Sequence, residues 1–100
     1  MSEPYQFRQF CIPDRMMTTL REWIEKGRPT GSFLRAVLSN DLADAVALAD
    51  DENLANLPAY VGYLYNEAPS LCHGSPERVK EWFEKHEKQR EEERRKVKEV

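Results

Sequence analysis

Cys72 and His73 stand side by side, two residues after Ser70, and a thiol or hydroxyl beside an imidazole is the raw material of nucleophilic catalysis or of a metal site. Cys11 and His86 add further ligand types. Zinc sites of the finger kind draw close ligand pairs from two places in the chain, and no such spacing occurs, so neither a metal nor a cofactor is assigned. Adjacency of Ser70, Cys72 and His73 does not provide the geometry of an activated nucleophile. Cys72 therefore reads as a loop or core thiol and His86 as part of a solvated helix. Gly27 to Gly31 lacks the glycine-lysine-serine ending of a phosphate loop. No catalytic residue is assigned, and the chain is expected not to be an enzyme.

Two other groups have chemistry to offer. Asp41, Asp44, Asp50, Asp51 and Glu52 form the densest acidic patch, able to hold a hard cation or to present negative charge to a basic partner. The calcium-loop pattern is absent, and helix capping accounts for Asp41, Asp50 and Asp51, which leaves a protein-facing acidic surface as the functional reading. Tyr60, Tyr63 and Tyr65 lie in the run 57–69, which is apolar or aromatic on nearly every face and must be surrounded by its own domain or by a partner. Tyr60 and Tyr63 share a helix face with Glu67, whereas Tyr65 aligns with Val61. At least one ring belongs to the core; the stripe of Tyr60, Tyr63 and Glu67 is the place to expect a partner or ligand. The candidate partner-binding set is thus Asp41, Asp44, Asp50, Asp51, Glu52, Tyr60, Tyr63 and Glu67.

The elements that position these residues are helical. Pro13 and Asp14 start a first helix, Met16, Met17, Leu20, Trp23 and Ile24 follow at three- and four-residue spacing, and Gly27 closes it. Residues 32–38 predict a second helix with Phe33, Leu34, Val37 and Leu38 inward. Residues 42–49 predict a third, capped by Asp41, with Leu42, Ala45, Val46 and Ala49 on one inward stripe. The run 50–53 repeats the capping punctuation, and Asn56 and Pro58 open the tyrosine helix, which Ala68-Pro69 ends. Ser75-Pro76-Glu77 starts a fifth helix that buries Val79, Trp82 and Phe83. Past Phe83 the sequence is almost pure Glu, Lys and Arg. Glu81 with Lys85, Glu84 with Lys88, Glu91 with Arg95 and Glu92 with Lys96 are spaced to support a projecting helix without a core. Residues 1–11, with Tyr5, Phe7 and Phe10 near alternation, read as an extended arm too short to make a sheet alone.

The resulting expectation is an all-α domain of about five helices over 12–83, an arm over 1–11, and a charged helical tail over 84–100. One hundred residues with 40% hydrophobic content suit one compact domain. A net charge of −3 opposes general binding to nucleic acid, which requires a basic field. No apolar run reaches the roughly 18 residues that span a bilayer, so no membrane partner is expected. Two distant cysteines without an apolar leader point to a reducing cytoplasm rather than a disulfide framework.

The segments Ile12 to Met17, Pro29 to Leu34, Ala49 to Asn53, Leu57 to Tyr60 and Gly74 to Pro76 resemble small bacteriophage and prophage proteins, over roughly residues 12–86. The resemblance implies an accessory role in an infected bacterium, and it transfers no catalytic residue. The leading expectation is therefore a non-enzymatic protein that binds and modulates a bacterial host protein in the host cytoplasm. The alternative is a small-ligand binder or sequestering homo-oligomer, whose tyrosines stack a nucleotide-like base and whose Arg15, Arg28 or Arg35 meets phosphate.

Overall fold

The computed structural model describes residues 5–99, with side chains through Arg95, and among these residues shows six α-helices, a 3-10 turn and one two-stranded hairpin. The fold is all-α in its architecture, with the hairpin laid on it. That hairpin is where the N-terminal arm departs from expectation: β1 (Tyr5–Phe7) pairs antiparallel with β2 (Phe10–Ile12), Tyr5 opposite Ile12 and Phe7 opposite Phe10. Arg8 makes the turn in a left-handed conformation at φ 55°. A tight turn without glycine or asparagine carries no sequence signal of a hairpin. The alternation puts Tyr5, Phe7, Phe10 and Ile12 on one face, and this face rests on the tyrosine helix. An isolated hairpin of this size is marginal in water, so the helix beneath it supplies its stability.

Helix α1 (Asp14–Lys26) buries Met17, Leu20 and Trp23 and ends at Gly27, left-handed at φ 66°. Helix α2 (Ser32–Leu38) buries Phe33, Leu34, Ala36 and Leu38. It closes with Asn40 left-handed at φ 61°, the Asn40 amide donating to Val37 O and the Asp41 amide to Ala36 O. This pair of bonds is a Schellman ending, which reverses the chain at once into α3 (Leu42–Leu48). Asp41 then caps α3 by accepting from the Asp44 amide at 3.1 Å, and α3 packs along α2.

The stretch read as punctuation folds as a further helix, α4 (Asp51–Ala55), because Asp50 accepts from the Asn53 amide at 2.8 Å and sustains a turn and a half. Helix α5 (Leu57–Asn66) carries the tyrosines and buries Ala59, Tyr60, Gly62 and Leu64. Asn56 does not cap it with its side chain. Its Oδ1 instead accepts from the Cys11 amide at 2.9 Å, which fastens β2 to the α4–α5 junction. At Gly62 the Phe7 ring lies where a side chain would be; a Cβ built there would stand 2.7 Å from Phe7 Cδ1.

After the 3-10 turn Ser70–Cys72 comes α6 (Pro76–Glu99), whose first turn is held by Ser75 Oγ accepting from the Arg78 amide at 3.1 Å. The helix does not leave the body at Phe83. Trp82 Nε1 donates to Trp23 O at 2.9 Å, His86 is half-buried against Gly27, and Arg90 donates to Lys26 O at the open end of α1. Trp82, His86 and Arg90 are four residues apart, so one stripe of α6 continues the packing with polar residues where the apolar ones stop. His86 is therefore an interhelical contact, not a residue of a solvated face. The ion pairs on this part of α6 join Glu87 to Arg90 at 2.9 Å and to Arg94 at 3.8 Å. Lys85, expected to pair with Glu81, sits over the Trp82 ring at 5.2 Å. The charged pairs of the tail that involve Lys96 lie outside the described side chains.

Candidate docking surface

The Cys72-His73 pair is built into the core. Trp23 Nε1 donates to Cys72 O at 3.0 Å, and the Cys72 side chain is fully enclosed. Burial pushes its thiol up to about 11, only partly opposed by a backbone hydrogen bond. His73 is also buried; desolvation holds its imidazole below the ordinary histidine range, a carbonyl hydrogen bond from Leu64 opposes this, and the Arg78 charge adds to it. Tyr65 meets the His73 ring edge-on at 5.7 Å. Arg78 donates to Ser70 O and His73 O, at 3.2 and 3.4 Å, pinning the 3-10 turn. These side chains are engaged in holding α1, the turn and α6 together. Among the described residues no group of three His, Cys, Asp or Glu side chains stands close enough to hold a metal ion.

The contrast between the two cysteines is directly measurable, since reactivity follows thiolate character and access. Cys11 is exposed and Cys72 is enclosed. One thiol is expected to react with Ellman's reagent at the rate of an open site in the native protein, and the second only on unfolding. Two fast equivalents from native protein would contradict the enclosed position of Cys72.

The tyrosine stripe does not stay together as a site. Tyr60, expected at a partner surface, is 0% exposed; its hydroxyl donates to Asn53 Oδ1 at 2.7 Å and its ring meets Phe33 at 5.2 Å. Burial raises its hydroxyl well above the ordinary tyrosine range. Asn53 is buried to receive that bond, which is why α4 turns its one buried residue toward α5. Tyr63 is half-buried under Tyr5, the rings 5.1 Å apart and near-perpendicular, and burial is the largest influence raising its hydroxyl. Glu67 is exposed at the end of α5. The tyrosine that faces outward is Tyr65, at 71% exposure, the one assigned to the other face.

The acidic residues are all exposed. Asp41 and Asp50 cap their helices, Asp44 and Asp51 are exposed beside them, and Glu52 pairs with Arg15 of α1. Between them lies what the sequence reading placed inside. Of the seven residues of α3 only Ala45 is buried. Leu42, 67% exposed, and Val46 lie one turn apart on one flank of Ala45 and Leu48 lies on its other flank; all three are exposed, as is Leu54 of α4. The expected inward stripe holds at Ala45, which is buried, and at Ala49, partly buried against the core, and is corrected at Leu42 and Val46, which are exposed beside them. A signal existed, because α3 reads Leu-Ala-Asp-Ala-Val-Ala-Leu, apolar on most of its circumference, and such a helix needs a cover on more than one side.

Comparison with protein-family models, with curated proteins and with solved structures finds no match for this chain. No helix among the described residues is long and apolar enough to cross a membrane.

Proposed function

We propose that this chain is a non-enzymatic binding protein that docks a partner protein on the α3–α4 face. The carrying observation is that Leu42 and Val46, one turn apart on α3, are exposed, as are Leu48 and Leu54, in a segment that also exposes Asp41, Asp44, Asp50 and Asp51. Contiguous exposed apolar groups rimmed by polar ones mark interaction sites, and the acidic rim selects an occupant with basic residues flanking an apolar face. A second copy of the same face would bring like charges together, so the rim opposes a face-to-face homodimer. The resemblance to small phage proteins turns the search to a host protein in the bacterial cytoplasm, whose docking segment would be a basic amphipathic helix.

The test uses substitutions that leave the capping aspartates in place. Tagged protein is compared with Leu42→Ser/Val46→Ser and with Asp44→Lys/Asp51→Lys in capture from bacterial lysate, followed by titration of the captured partner. Each pair is expected to weaken binding by more than tenfold while the circular dichroism spectrum stays unchanged, and the charge-reversed pair should also remove the salt dependence. Partner capture indifferent to both pairs would place the interface elsewhere.

A further inference from the structure

Between α2 and the first turns of α6 the body is open. A cleft of about 450 Å³ has Trp23, Leu38, Val79 and Phe83 as its apolar lining, and the connector residues Pro29 and Thr30 at its border. Each wall adds one cation, Arg35 from α2 and Lys80 from α6, while Thr30 and Ser39 add hydroxyls. Both cationic side chains are exposed, and among the described residues neither is in an ion pair. The volume falls in the range of small-molecule sites, which are mostly apolar with a few polar groups that fix orientation. No residue of α3 or α4 lines it.

We propose that this cleft is a binding site for a small organic anion with an aromatic or alicyclic body and a single carboxylate. The body lies on the buried floor of Trp23 and Leu38 and covers Pro29, Val79 and Phe83, removing their exposed apolar surface from water, and the carboxylate lies between Arg35 and Lys80. Guanidinium suits the planar, two-oxygen carboxylate, and the ammonium provides a second charge without demanding a direction. A neutral molecule of the same shape leaves both cations uncompensated at the border, and inorganic phosphate alone leaves the apolar lining uncovered. Both parts of the ligand are therefore required. The stacking arrangement expected on the α5 tyrosines is replaced here by a lining of Trp23 and Phe83, and of the three candidate arginines only Arg35 lines the cleft.

The test is a titration of the full-length, isotope-labelled protein with 1-naphthoate, with 1-naphthalenemethanol as the neutral isostere and inorganic phosphate as the headgroup alone. Trp23 Nε1–H supplies one of only two indole resonances in the chain, since Trp23 and Trp82 are its tryptophans. Naphthoate is expected to shift the Trp23 indole and the amides of 35–39 and 79–83, with at least tenfold tighter binding than either control. Arg35→Gln/Lys80→Gln should abolish that tenfold preference while leaving the weak binding of the neutral isostere unchanged. Both residues are exposed, so the melting temperature checks that the variant is folded. Equal affinity for the acid and the alcohol, shifts confined to α3–α4, a preference that survives loss of both cations, or no binding at millimolar naphthoate would each overturn the assignment.

Discussion

Trp23→Ala is expected to cost the protein most of its stability. Trp23 is buried and joins three elements: its indole N–H serves Cys72 O, its carbonyl receives the Trp82 indole, and its ring lies in the core cluster. Truncating a buried tryptophan costs about 3–5 kcal/mol, and the stranded Cys72 carbonyl adds about 1–3 kcal/mol. Domains of this size hold about 5–15 kcal/mol in total, so the variant sits at or near the unfolding threshold. Even the lower bound corresponds to a fall in melting temperature of about 12 °C or more. Trp23→Phe, which keeps most of the ring volume and loses only the donor, should lose about 1–3 kcal/mol. Chemical denaturation followed by far-ultraviolet circular dichroism separates the two; a loss below about 1 kcal/mol for Trp23→Ala would remove Trp23 from its central place.

Gly27→Ala is the second large effect, and its cost has two separable sources. The residue sits at φ 66°, and an L side chain in the left-handed region costs about 1–2 kcal/mol. A Cβ there would also press into the His86 side chain, 2.7 Å from Cγ, and overpacking costs about 1–3 kcal/mol. The sum, about 2–5 kcal/mol, should be accompanied by loosening of α6 beyond Trp82, because His86 and Arg90 both seat on this end of α1. In a His86→Gly background, which also removes the His86 Cβ nearest to position 27, the steric part disappears and the backbone part remains. A double-mutant cycle should thus report about 1–3 kcal/mol of coupling between positions 27 and 86. Strict additivity would show that α6 does not bear on Gly27.

These two positions show what was and was not legible. Gly27 was readable as a helix stop, since the residue type, the preceding apolar period and the following proline agree. Its partner was not. His86 lies 59 positions away in a segment whose composition matches a solvated helix, and nothing in a run of Glu, Lys and Arg marks the one imidazole that will be covered. The caps at Asp41 and Asp50 are likewise local, each a carboxylate accepting from the backbone amide three residues on. Helix α4 carries no such mark, because Asp51, Glu52 and Asn53 are residue types that serve equally as caps and connectors.

For the candidate site the sequence marks the acidic residues as exposed and Ala45 and Ala49 as inward, and it places Leu42 and Val46 on the wrong side. An apolar stripe at helical spacing states that a helix has a face to bury; it does not state that the protein has anything to put there. Helix α3 packs along α2, and its Leu42, Val46 and Leu48 remain exposed. The opposite error occurred at Tyr60, where the buried amide of Asn53 made a hydrogen-bonded interior position available to a hydroxyl that looked suited to a surface.

By itself the sequence determined where most helices begin and end and which residues are chemically able to bind, because capping, proline geometry and charge act over a few residues. Only the tertiary structure decided which of those residues meet water. Exposure depends on what lies across the gap, and the elements that fill it come from distant parts of the chain: the hairpin lies over Gly62 and α6 over Gly27, while among the described residues Leu42 and Leu48 stay exposed.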